Sequence, residues 1–209
     1  IFASQTIKDS SIVTVGMGLS AILSALSIFL IARFLGPSGF GFYVSALAVA
    51  VIITDSVELA ISNSLVKFAS GSDRPLSFIK YGFYLKVGLG LFLGLLLAQL
   101  SRPLAQIIQP ELTGSLLIVS AFIPVLFLQR FPRSVLQSQK RFLADSFLEV
   151  MTSLLRLLFI LGFYYWFNLT VNLAILAYIL GAFGGFLIGA WLISWQFLNQ
   201  PVTASIKSA

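Results

Sequence analysis

From Leu157 to Ile206 the chain carries no charged side chain. A run that long and that apolar exceeds the ~20 residues one bilayer-crossing helix needs, so it holds the end of one membrane helix and the whole of the next. Ser10 to Ala32 is a second uncharged run. Inside hydrocarbon, backbone N–H and C=O groups must be satisfied within the segment itself, which leaves helices as the economical reading of such runs. With 58% hydrophobic and only 10% charged residues, the chain lies outside the composition of a soluble domain. The expected fold is an all-α, polytopic membrane bundle of about six transmembrane helices.

Polar breaks place those helices near 11–33, 42–65, 79–100, 114–129, 146–167 and 171–195, together a single bundle. Gly36-Pro37-Ser38-Gly39 predicts a turn, since Pro and Gly do not continue a helix easily. Ser101-Arg102-Pro103 marks the end of the third helix, and 104–113 reads as a short connection containing Pro110. Pro124 sits inside the fourth helix as a kink, and Arg130 to Asp145 reads as the most basic loop. Asn168, Thr170 and Asn172 follow Tyr164-Tyr165-Trp166-Phe167, an interfacial aromatic group, so the break between the last two helices falls there. Trp191 and Trp195 mark the opposite interface. Asn168-Leu169-Thr170 matches a glycosylation acceptor but reads as that helix break.

The net charge of +6 does not imply a nucleic-acid partner. Its Lys and Arg residues lie in short loops, where the positive-inside bias accounts for them. Lys8, Lys67, Arg74, Lys80, Arg130, Arg133, Lys140, Arg141 and Lys207 fall on one side, against Arg33 and Arg102 on the other, so both termini are expected in the cytoplasm. Gln137 to Phe142, basic with an aromatic, suits anionic lipid headgroups. The absence of Cys and His removes disulfides, thiolate chemistry, the commonest general base and the commonest metal ligands. No catalytic residue, metal site or cofactor is expected. Ile1 stands where an initiator Met would, and no small-residue cleavage site follows the first apolar run, so a fragment or processed chain is expected rather than a cleaved signal peptide.

Charges inside the apolar runs are the candidates for function, because burying them in a bilayer is costly. Asp55 and Glu58 lie three apart on one helical face that Ser62 continues, either as a cavity-lining, ion-coupling pair or as a structural ion pair. Ser146, Glu149, Ser153 and Arg156 follow steps of three, four and three, so they form one polar stripe. Arg156 lands near the bilayer centre at about the depth of Asp55. It reads either as a ligand for phosphate, through its planar fork, or as a counter-ion for Asp55 or Glu58. Gly16, Ser20 and Ser24, Gly90 and Gly94, and Gly181, Gly185 and Gly189 repeat a four-residue step that permits close helix packing.

Arg33-Phe34-Leu35-Gly36-Pro37-Ser38-Gly39-Phe40-Gly41-Phe42-Tyr43 resembles the R-x-LGP-x-x-FG-x-Y signature following the first helix of polysaccharide biosynthesis and O-antigen flippases. These belong to the multidrug/oligosaccharidyl-lipid/polysaccharide exporter superfamily. Gln139-Lys140-Arg141-Phe142, Glu149 and Ser153-Leu154-Leu155-Arg156 are similar to the family's later loop and fifth helix. The resemblance implies one lobe of a two-lobe transporter, with the C-terminal lobe missing from this chain. It also implies an isoprenoid-diphosphate-linked oligosaccharide moved from the inner to the outer leaflet of the cytoplasmic membrane. Arg156, with Glu149 and Ser153, would bind substrate, and Asp55 and Glu58 would couple an ion gradient. The competing readings are a drug or metabolite exporter of the same superfamily, a metal-dependent lipid-modifying enzyme and a non-catalytic assembly partner.

Overall fold

The computed structural model describes residues 2–70 and 75–199, and all the regular structure among them is helical. Arg74 and Lys207 lie outside the described residues, as do the side chains of Lys8 and Trp195. Among the described residues, five helices are long and apolar enough to cross a membrane. The first, α1 (Phe2–Ser70), is two helical limbs joined at Gly36, whose φ of 69° and ψ of 177° leave the helical region. Side-chain-bearing residues rarely adopt that φ, so glycine is needed at the bend. Pro37 then opens the second limb, where its missing N–H would have had no helical partner anyway. The expected four-residue turn is thus a one-residue bend, and the first two expected spans form one bent helical run.

α2 (Pro75–Ile108) continues through Pro103, beyond the end that the sequence predicts. Proline is tolerated in a membrane helix when neighbouring groups take up the freed hydrogen bonds. In the turn before Pro103 the Ser101 hydroxyl donates to the Ala98 carbonyl at 2.7 Å. A 3-10 turn, Pro110–Leu112, leads into α3 (Thr113–Ser138), which contains both Pro124 and Pro132. Most of the expected basic loop is therefore helix, and the connection shrinks to 139–141, with Lys140 at a φ of 57°. α4 (Phe142–Phe167) ends at the aromatic group as expected, with Asn168 at a φ of 53°, and α5 (Val171–Asn199) follows.

α3 lies at the centre, packed against α1, α2 and α5. Phe122, Ile123, Phe127, Leu116 and Val119 from α3 meet Ile31, Tyr43 and Ala46 from α1 and Ile175 and Ala177 from α5 in the main apolar core. The remaining faces expose large apolar side chains such as Ile22, Phe92 and Leu187, as a lipid-facing surface requires.

The small-residue stripes mark the closest helix approaches. A Cβ on Gly94 would lie 2.8 Å from the Ser120 carbonyl oxygen, and one on Gly181 would lie 2.9 Å from the Arg156 Cα. On the first limb of α1, Gly16 meets Ser146, Ser20 hydrogen-bonds Ser153 at 2.8 Å, and Phe34 stacks on Tyr164 with centroids 3.7 Å apart. The numbers rise together, so this limb and α4 run parallel. Gly90 on Phe127 and Gly94 on Ser120 make α2 antiparallel to α3. The Gly36 bend, the 3-10 turn and Asn168 consequently lie toward one end of the bundle, and 139–141 toward the other.

Candidate functional site

Toward the 139–141 end, a polar cleft of about 360 Å³ opens between the helices. α1 contributes Asp55, Glu58 and Ser62 to it, the stripe expected from their spacing. α3 contributes Arg130, Arg133, Ser134 and Gln137, each one turn or less from the next. Because α3 stays helical past Pro132, these side chains project into the bundle rather than into a loop.

The innermost contact is an ion pair between Lys86 of α2 and Glu58 Oε1 at 2.5 Å, with side chains 0% and 2% exposed. Lys86 Nζ also donates to Ser62 Oγ at 2.9 Å and Ser134 Oγ at 3.2 Å, so its three donors have three acceptors. Ser62 Oγ lies 2.6 Å from Glu58 Oε1 and donates to it. The other carboxylate oxygen, Oε2, is buried without a hydrogen-bond partner. Thr54 Oγ1, one helical turn earlier, is likewise buried and unpartnered.

Two further ion pairs extend toward the rim. Arg130 lies 2.5 Å from Asp55 Oδ1, close enough for attraction although the N–H is not aligned as a hydrogen bond. Arg133 bridges two acidic residues of α4, donating from Nε to Asp145 at 2.8 Å and from a terminal nitrogen to Glu149 at 2.9 Å. Gln137 adds a 2.9 Å bond to the second oxygen of Asp145. The network ties α1 to α2 and α3, and α3 to α4.

Arg156 belongs to a different environment. Its guanidinium carbon lies 3.7 Å from the centre of the Tyr178 ring, a cation–π contact. Phe122 meets the same Tyr178 ring edge-on, with centroids 5.1 Å apart. Arg156 Nε is buried without a hydrogen bond, and among the described residues no carboxylate comes within ion-pair distance. The pairing with Asp55 or Glu58 that equal depth suggested does not occur. Asp55 and Glu58 lie level with Arg130 and Lys86, whereas Arg156 is two turns beyond Glu149, roughly 10 Å along α4. The second limb starts at Pro37 rather than near Phe42, so its carboxylates lie about a turn farther from the Gly36 bend than the predicted start implied.

Of the stripe on α4, Glu149 is held by Arg133, and Ser153 bonds Ser20 at 2.8 Å with Ser24 at 3.4 Å. Ser146 packs on Gly16. Sequence reasoning missed Lys86, although it is the lone charge between Tyr81 and Ser101 and could have been flagged as an intramembrane cation. It also missed Thr54, Ser134 and Tyr178, whose significance comes only from neighbours distant in the chain.

Neither the curated proteins nor the solved structures yield a match to this chain. The family model described as "Polysaccharide biosynthesis protein" matches residues 6–208, and the chain, a polytopic helical membrane protein, belongs to that family.

Proposed function

We propose that this protein takes part in flipping an isoprenoid-diphosphate-linked oligosaccharide across the cytoplasmic membrane. Family membership and the long apolar helices support a membrane-transport role in general. The observation that carries the finer reading is Arg156, a charge within the bundle that no carboxylate among the described residues neutralises. A cation left in that state attracts an anion, and a diphosphate offers the paired oxygens that a guanidinium fork holds. Glu149 and Ser153 share the stripe but are engaged with Arg133 and Ser20 in this conformation. In this reading they set the position of α4 beneath Arg156, and direct substrate contact by either requires those bonds to exchange. Asp55 and Glu58 serve ion coupling, and alternating access is completed by the second lobe that the resemblance implies.

The exporter alternative needs acidic residues free to hold an organic cation, and a lipid-modifying enzyme needs them free for a metal. Asp55 and Glu58 are instead each on a cation, Arg130 and Lys86. The test is surface polysaccharide display in cells that depend on the protein. Arg156→Ala abolishes display at normal expression, Arg156→Lys restores part of it, and Asp55→Ala added to Arg156→Ala restores none. Full display in that double variant would reduce Arg156 to a counter-ion. Orientation, with both termini cytoplasmic, is checked separately: the chain has no native cysteine, so one placed at Ser138 should resist labelling from outside intact cells.

A further inference from the structure

We propose that the turn at 139–141, together with the outer face of α4, binds one anionic phospholipid, with its phosphate on Lys140 and Arg141 and an acyl chain along Leu143 and Phe147. The inference goes beyond the transport reading and does not depend on what is carried. Residues 139–143 are all exposed. Among the described residues no carboxylate comes within ion-pair distance of Lys140 or Arg141. The carboxylates that follow them in the chain are already engaged. Asp145 is buried and accepts from Arg133 on one oxygen and from Gln137 on the other, and Glu149 accepts from Arg133. The cleft thus draws these acidic side chains inward and leaves two adjacent cations outside without a counter-ion.

The turn holds the pair in place. The backbone N–H groups of Gln139, Lys140 and Arg141 bond to the carbonyls of Val135, Gln137 and Leu136, which closes the end of α3 and fixes Lys140 at a φ of 57°. Directly after the pair, α4 presents an apolar face. Leu143 is 64% exposed, Phe147 47% and Leu158 54%, at steps of four and eleven residues, so they share one side of the helix. The buried Asp145, Leu148 and Thr152 lie on the opposite side. From Leu143 to Leu158 the helix rises about 22 Å, more than the ~15 Å of hydrocarbon in one leaflet, so an acyl chain can follow it throughout. Charge complementarity selects the headgroup. A basic pair beside a membrane helix attracts an acidic headgroup, whereas a zwitterionic one brings its own cation and gains little.

The experiment is native mass spectrometry of the purified full chain, titrated in detergent with dioleoylphosphatidylglycerol or dioleoylphosphatidylcholine, which share acyl chains and differ in headgroup charge. The first phosphatidylglycerol is expected to bind more tightly than the first phosphatidylcholine. Lys140→Asn with Arg141→Gln should weaken the phosphatidylglycerol by roughly tenfold or more, as loss of two basic residues at an anionic surface implies, and leave phosphatidylcholine unchanged. Asn suits position 140 because it tolerates a positive φ, and both side chains are exposed, so this variant should unfold at the native temperature without lipid. Arg141→Lys keeps the charge and should keep the affinity. Leu143→Ser with Phe147→Ser should weaken both lipids alike, and Arg102→Gln, toward the other end of the bundle, should change neither. Equal affinity of the native protein for the two lipids, or an unchanged phosphatidylglycerol affinity in Lys140→Asn with Arg141→Gln, would overturn the proposal. Displacement of the lipid by inorganic phosphate at equal concentration would assign the pair to a free anion, and a dimer that the double variant dissociates would give the face to a second copy of the chain; either result also overturns it. The titration contains no isoprenoid lipid, so its failure leaves the flippase reading standing.

Discussion

Two sets of charges lie roughly 10 Å apart along α4, and they are neutralised in opposite ways. Around the cleft every cation has a carboxylate: Lys86 on Glu58, Arg130 on Asp55, Arg133 on Asp145 and Glu149. Deeper in the bundle Arg156 lies on the face of Tyr178, and among the described residues no carboxylate comes within ion-pair distance of it. Desolvating a charge is costly, and a partner that offsets that cost also weakens the charge's attraction for anything else in the same conformation. The cleft network therefore holds helices together, whereas Arg156 retains an unspent attraction for an anion. An intramembrane charge is read by its partner more than by its depth.

The largest expected effect is on the paired side. Lys86→Met strands Glu58 and should cost about 3–5 kcal/mol, while Lys86→Met with Glu58→Leu should recover most of it. Unfolding of the detergent-solubilised protein measures both. A single-variant cost below about 1 kcal/mol would break the comparison, since Lys86 would then not be held as described. Next comes Gly181→Ala, which forces a Cβ to 2.9 Å from the Arg156 Cα and should cost about 1–3 kcal/mol by overpacking, with loss of display. Gly41→Ala, which meets open space, is its control and should change neither. Arg156→Ala should cost only about 0.5–2 kcal/mol of stability, the range of a cation–π contact. A loss as large as that of Lys86→Met would show a hidden counter-ion and close the gap between the two regions. Ser153→Ala removes the bond to Ser20 and should cost about 0.6 kcal/mol, the average for such bonds between membrane helices.

Much of this arrangement was legible in the sequence, and the rest failed for identifiable reasons. Uncharged runs locate the spans because hydrocarbon thickness sets their length. The stripes from Gly16 to Ser24 and Gly181 to Gly189 announce close contacts, since only small residues let backbones approach. Helix ends near Pro37 and Pro103 are misplaced because the water-based rule that proline breaks helices weakens in a bundle. Arg130 and Arg133 read as loop residues because the positive-inside bias assigns basic stretches between apolar runs to loops, which hides the cleft's basic wall. Lys86 escaped because its partner lies 28 positions away, and no local period connects two residues on different helices. Likewise Tyr178 is apolar by pattern, and only the packing of α4 on α5 puts its ring against Arg156.

The most direct test of the contrast is equilibrium binding of a polyprenyl diphosphate, without sugar, to the purified protein in nanodiscs. Arg156→Ala should weaken binding by about tenfold or more, the equivalent of losing a charge-assisted hydrogen bond of at least ~1.4 kcal/mol. Arg156→Lys should lie between that variant and the native protein, because the charge survives and the fork does not. The charge-free pair Lys86→Met with Glu58→Leu should bind as the native protein does. Equal affinity in Arg156→Ala, or a loss confined to the Lys86 and Glu58 variant, would contradict the account and move the anion site to the cleft.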